Sequence, residues 1–203
     1  MSGKRGPNAS SVRTKAVILD AALRTLRDEG IADTSARAIA RAGDFNQALI
    51  FYHFGSVDDA LAAAFEQLLQ EQHDKYSSAL ANVRSEADLD AALEQLFAQD
   101  LSAGITTTIA QGFAGATHRP HMGPRLRSAV SRWLQVIEQA SMRAGKTQEE
   151  ATRAVTRFLS VYIGYEILNG LRRTEDGVLP GANDVDLLRL GLGLRAQGAY
   201  AGA

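Results

Sequence analysis

Residues 35–54 read SARAIARAGDFNQALIFYHF, and the polar groups in this stretch are spaced to meet a nucleic-acid duplex. Gln47, Ala48 and Leu49 fall together at the head of a short predicted helix. They offer an amide that can bond a base edge and two apolar groups that can meet a thymine methyl. Asn46 stands where the N-cap of that helix belongs. Tyr52 and His53 close the helix with two polar-tipped rings suited to phosphate oxygens. No comparable set of nucleophile, base and orienting acid occurs in the chain, and there is no phosphate-binding glycine loop.

Side chains of this kind need a rigid frame, and the flanking sequence supplies one. Ser35 is the expected N-cap of a preceding helix through Ala36, Ile39 and Ala40, whose small residues allow a second helix to pack closely. Gly43 and Asp44 end it, with Asp44 at a turn position that requires tolerance of left-handed backbone. Upstream, residues 13–29 form a predicted bracing helix with Ile18, Leu19, Ala22, Leu23 and Leu26 on one stripe and Gly30 as terminator. From Ser56 a long helix begins, with Leu61, Phe65, Leu68, Leu69, Gln72, Tyr76 and Leu80 at three- and four-residue spacing. A helix-turn-helix with a brace before it and a connecting helix after it points to transcription control.

With Ile18, Leu23, Gly30, the Ile39-Ala40 pair and Phe54 included, the stretch from residue 17 to about 61 resembles the tetracycline-repressor (TetR) family. The resemblance covers the first third of the chain. It implies an all-α homodimer that binds operator DNA, with a C-terminal helical domain that accepts a small molecule. Carried over residue by residue, the family's DNA-contact positions fall on Arg37, Gln47, Leu49, Phe51, Tyr52 and His53. Two positions depart from the family pattern: Asp44 stands where the turn usually carries Gly, and Val57 where a Lys usually opens the connecting helix. The second removes a phosphate contact and shifts the expected burden to the N-terminal arm, Arg37 and Arg41.

Charge is divided along the chain. Residues 1–55 carry eight Lys or Arg against five acids, a net +3, which leaves −4 on the remainder of a chain whose formal net charge is −1. Four of those cations lie in the first fifteen residues with no acid among them, as suits an arm lying along phosphates. The absence of Cys removes disulfides, thiolate metal sites and cysteine nucleophiles together. Neither a signal peptide nor a long apolar run is visible, so a cytoplasmic bacterial protein is expected. His118 and His121 lack Cys or acidic partners at a metal-binding spacing, so no metal and no cofactor is expected.

Further helices are predicted over 87–101, through Ile105, Ile109 and Phe113 with interruptions at Gly104, Gly112 and Gly115, and from Pro124 to Gly145. Residues 117–123 read as a loop. Thr147 and Glu150 form a capping-box pair for a helix with two apolar faces, one holding Phe158, Leu159, Tyr162, Glu166 and Asn169. A loop over 174–184 and a last helix over 185–196 follow, and the last two helices of each subunit are expected to form a four-helix dimer seam.

Phe65, Leu69, Gln72, Tyr76, Trp133, Phe158, Tyr162, Glu166 and Asn169 are the candidate ligand lining, amphipathic groups on otherwise apolar faces. Among them Glu166 is the sharpest, because an unpaired buried carboxylate is costly. The organisation expected is a basic arm over 1–12, a helix-turn-helix domain over 13–55 and a ligand-binding and dimerisation domain over 56–203. The function expected is a ligand-responsive repressor of a palindromic operator, not an enzyme. Its rival is a helical enzyme or carrier with a fortuitous motif.

Overall fold

The computed structural model describes residues 9–119 and 121–172, and among these it forms eight α-helices and no strand. They are α1 (Ala9–Asp33), α2 (Ala36–Gly43), α3 (Ala48–Phe54), α4 (Val57–Ala79), α5 (Glu86–Ser102), α6 (Ile105–His118), α7 (Met122–Arg143) and α8 (Gln148–Arg172). No helix among the described residues is long and apolar enough to cross a membrane. The chain divides into two compact units, Met1–Gln70 with Gln111–Val130, and Glu71–Ala110 with Ser131–Ala203. The sequence reading draws the limit of the DNA head at residue 55, whereas the first unit also takes in the first part of α4 and a segment from α6 into α7.

In the first unit α1 buries Ile18, Ala21, Ala22 and Leu26, and its helical geometry breaks at Gly30 (φ +80°), as the sequence predicts. The break leaves the Ile31 N–H without a helical acceptor, and it donates instead to Gln111 Oε1 at 3.1 Å. Arg119 fastens the same stretch, donating to the carbonyls of Ile31 and Thr34 and pairing with Asp58 at 2.5 Å. Ser56 Oγ caps α4, accepting the Asp59 N–H at 3.0 Å and donating its own proton to the Asp59 carboxylate at 2.7 Å. Two parallel bonds from Arg125 to Glu66, at 2.8 and 2.6 Å, hold α4 against the start of α7.

Two expectations are corrected here. Neither Gly112 nor Gly115 interrupts its helix, since both lie inside α6 where neighbours need the space: a Cβ at residue 112 would stand 2.2 Å from the Phe65 ring and one at residue 115 would stand 2.8 Å from Ile31. The loop expected over 117–123 is also much shorter. Thr117 and His118 belong to α6, Met122 and Gly123 open α7, and Met122 is fully buried. Pro124 permits this, since the first N–H groups of a helix have no partner within it and a missing donor there costs little.

In the second unit Ser85 and Asp88 form a capping box on α5, whose buried stripe is Leu89, Leu93, Leu96, Phe97 and Asp100. From α7 come the fully buried Trp133, Ile137 and Ala140. Gly145 ends that helix as expected, with Lys146 N–H donating back to the Ser141 carbonyl at 3.1 Å. The predicted Thr147–Glu150 box is present: Thr147 N–H donates to Glu150 Oε2 at 2.8 Å and Glu150 N–H to Thr147 Oγ1 at 3.3 Å. Phe158, Tyr162 and Tyr165 are the buried rings of α8. Residues 1–8 of the basic arm, the loop expected over 174–184 and the helix expected over 185–196 lie outside the described residues.

Candidate functional site

The helix-turn-helix forms where the sequence puts it, and each local device can be named. Ser35 Oγ accepts the Ala38 N–H at 3.2 Å, and Ala38, Ile39 and Ala40 turn inward. In the turn Asp44 adopts the left-handed conformation (φ 52°, ψ 52°). The Phe45 N–H reaches back to the Ala40 carbonyl at 3.1 Å and the Asp44 N–H to that of Arg41 at 3.5 Å, the two bonds of a Schellman termination. A Cβ on Gly43 would meet the Phe45 ring at 2.3 Å and the Ala21 methyl at 2.9 Å. The turn thus divides two demands, close approach at Gly43 and left-handed backbone at Asp44, and the second costs a non-glycine residue about 1–2 kcal/mol.

Asn46 caps the next helix as expected, its Oδ1 accepting the Ala48 N–H at 2.9 Å. The α-helix proper starts at Ala48, one residue later than the sequence suggests, with Gln47 at its threshold. Ile50, fully buried, anchors α3. The opposite side is left open: Tyr52 is 82% exposed and Phe51 50%, with Asn46, Gln47 and Ala48 also exposed and Leu49 and His53 half-buried. Phe54 is half-buried beneath the Lys15 ammonium, 5.9 Å from its ring centre.

Arg37, Asn46 and Gln47 line one open depression of about 770 Å³ together with Arg41, Asp44 and Phe45. Arg37 is exposed and makes no ion pair among the described residues, so its charge is available to an incoming anion. Arg41 is committed to Glu29 at 2.7 Å. Exposed aromatic rings, an exposed guanidinium and an amide on one two-helix motif are groups that can take phosphates and base edges.

A second constellation lies in the second unit. Gln72, Tyr76, Trp133, Phe158 and Tyr162, five of the nine expected ligand-lining residues, come together there with Phe97 and Tyr165. Trp133 stands edge-on to Tyr76, Phe158 and Tyr162, with ring centres 5.4, 5.8 and 5.3 Å apart. Phe65 and Leu69 are buried in the first unit, Phe65 against Gly112. Glu166 and Asn169 lie on α8, with side chains outside the description.

The carboxylate at the centre of this cluster is Asp100, which the sequence reading passes over. It is fully buried and accepts the hydroxyls of Tyr76 at 2.8 Å and Tyr162 at 3.0 Å, and the Lys75 ammonium at 2.5 Å. The Gln72 amide nitrogen, turned towards the carboxylate, lies 3.1 and 3.3 Å from its two oxygens. Burial first, and the Asp100 charge second, hold the Tyr76 hydroxyl well above the ordinary tyrosine pKa. Asp100 was legible in principle: Leu89, Leu93, Leu96, Phe97 and Asp100 share one helical stripe, so the acid had to face inward with them.

Residues 18–68 match the model of bacterial regulatory proteins of the tetR family. Over 156 residues the chain is 26% identical to the nicotine-responsive transcriptional repressor HdnoR of Paenarthrobacter nicotinovorans, covering 75% of this chain and 80% of that protein. Its fold matches a TetR transcription regulator from Haloarcula marismortui (TM-score 0.70, 17% identity, 90% of this chain and 95% of the other). It also matches FadR from Bacillus subtilis, solved with stearoyl-CoA (TM-score 0.66, 11% identity, 88% and 96%). Residues 18–68 thus match the DNA-binding head of tetR-family transcriptional regulators, and the all-helical fold of the described residues is similar to that of solved regulators of that family.

Proposed function

We propose that the chain acts as a homodimeric repressor that sits on a palindromic operator in the cytoplasm and leaves it when a small molecule enters its body. The observation that carries the DNA half is the exposed surface of the two-helix motif, where Tyr52 and Phe51 of α3 are left to solvent and Gln47 lines a depression with Arg37, which has no ion pair among the described residues. Two exposed rings next to each other in sequence, on a motif that carries polar groups able to bond a duplex, fit an interaction surface. In this reading Arg37, Tyr52 and His53 hold phosphates, Asn46 fixes the entry of α3, and Gln47, Ala48, Leu49 and Phe51 face the bases. The N-terminal arm adds phosphate contacts in place of a lysine at Val57.

For the ligand half, the relative named as nicotine-responsive supports release by a small molecule. The reading places that molecule among Gln72, Tyr76, Trp133, Phe158 and Tyr162, with Glu166 and Asn169 further along α8. Gln72 and Tyr76 lie on α4, which runs unbroken from Val57, so a ligand that prefers one setting of this helix biases the head. The two recognition helices of a dimer must lie about 34 Å apart, or an integral multiple of that, so a small displacement loses many contacts. The dimer seam is assigned to the last two helices.

Measuring affinity for duplex DNA of random sequence across a salt series tests the DNA half. The logarithm of affinity should fall linearly with that of salt, and Arg37→Ala should reduce the slope by about 1 per subunit. Binding too weak to detect at low salt would overturn the reading.

A further inference from the structure

The carboxylate of Asp100 is hard to account for as a device for stability alone. It has no solvent exposure, yet the only cation paired with it among the described residues is Lys75, whose side chain is 31% exposed. Replacing a buried charge and its partners by apolar side chains of similar size is commonly neutral or stabilising, so the fold gains little from it. Aromatic rings surround the group: Tyr76 and Tyr162 bond it directly, and Trp133 and Phe158 pack on both. The Trp133 Nε1 is buried with no hydrogen-bond partner, an open polar valence inside what would otherwise be a closed apolar core.

Lys75 shows what such a place accepts. Its ammonium lies 2.5 Å from Asp100 Oδ1 and 6.0 Å from the centre of the Tyr76 ring, held by a charge on one side and a π-face on the other. A half-exposed lysine can also swing its head into water at little cost, which opens a path to the carboxylate.

Resting on the reading of the second unit as the ligand site, we propose that the effector is an organic ammonium, a primary or secondary amine on an aromatic or apolar frame, whose charge takes the place of Lys75 on Asp100. Its frame enters among Tyr76, Trp133, Phe158 and Tyr162, and an acceptor on that frame would satisfy the Trp133 N–H. The same carboxylate repels anions, and a neutral molecule of equal shape forgoes both the charge-assisted bond and the cation–π contact. Lys75 is then an internal competitor, which sets the threshold at which the amine displaces it.

The test uses the full chain and the fluorescence of Trp133, the single tryptophan. Phenethylamine, phenethyl alcohol and phenylacetate share one frame and differ in charge. Phenethylamine should perturb the signal at the lowest concentration, and Asp100→Asn should weaken it by about tenfold or more, as loss of a hydrogen bond to a charged group implies. Lys75→Met should tighten it by about threefold, the scale of a partly exposed ion pair. Because Lys75 is half-exposed, that variant decides the matter even if Asp100→Asn fails to fold. A purely structural role for the pair predicts no gain. Equal response to the alcohol or the acid, an unchanged amine affinity in Lys75→Met, or no response to any probe in either protein would overturn the ammonium assignment. A molecule that releases DNA without moving the Trp133 signal would instead overturn the site itself.

Discussion

Tyr52 and Tyr162 use the same side chain in opposite ways. Tyr52 stands 82% exposed on α3 with its hydroxyl in water, while Tyr162 is fully buried on α8 with its hydroxyl bonded to Asp100. The apolar ring of Tyr162 is sheltered by Phe97, Trp133 and Phe158, whereas Tyr52 meets His53 edge-on at 4.9 Å and both it and Phe51 stay exposed. A buried polar group must find its partner inside the fold, but an exposed one can wait for a partner from outside. On the proposed reading the head surface waits for its partner, while the body cluster is nearly complete in its bonds apart from the Trp133 N–H.

That contrast breaks most sharply at Asp100. Asp100→Ala strips the partner from two buried hydroxyls and from Lys75, and should cost about 3–5 kcal/mol of stability by urea unfolding, the scale of losing one member of a buried charged network. Gln47→Ala comes next. It should leave unfolding unchanged but cost about 1–3 kcal/mol of operator affinity, mainly at one base pair per half-site, as read by competition with single-base variants.

Paired hydroxyl deletions sharpen the comparison further. Tyr162→Phe should lose about 1 kcal/mol of stability, the net worth of a typical hydrogen bond, and leave DNA binding intact. Tyr52→Phe should leave stability unchanged and weaken binding to all sequences alike, since a phosphate contact carries no sequence information. If both variants lost stability equally, the division between an open and a closed surface would fail. The smallest effect is expected in the turn. Asp44→Gly removes the strain of a left-handed non-glycine residue and should stabilise the head by about 1 kcal/mol or less, measured by thermal unfolding.

The head was legible in the sequence because its devices are local. The Ser35 and Asn46 caps, the left-handed Asp44 and the terminator Gly30 each act within a few residues of themselves, and each took the expected form. What sequence reasoning missed depends on partners far along the chain. Gly112 looks like a helix breaker until Phe65 is brought against it, and Arg119 looks like part of a loop until its bonds to Ile31, Thr34 and Asp58 are seen. The hub on Asp100 joins residues 25 and 62 positions away, beyond any local pattern, although the acid's place on a buried stripe was a usable sign.

The central claim, that the open face of α3 belongs to an operator read by a dimer, is tested most directly by selecting fragments from random duplex DNA with the purified chain and sequencing them. The account predicts enrichment of an inverted repeat, with half-site centres about one helical turn (roughly 34 Å) or an integral multiple apart, and loss of preference at one position per half-site with Gln47→Ala. Selection of no sequence over the starting pool, or the same preference from wild type and Gln47→Ala, would contradict it.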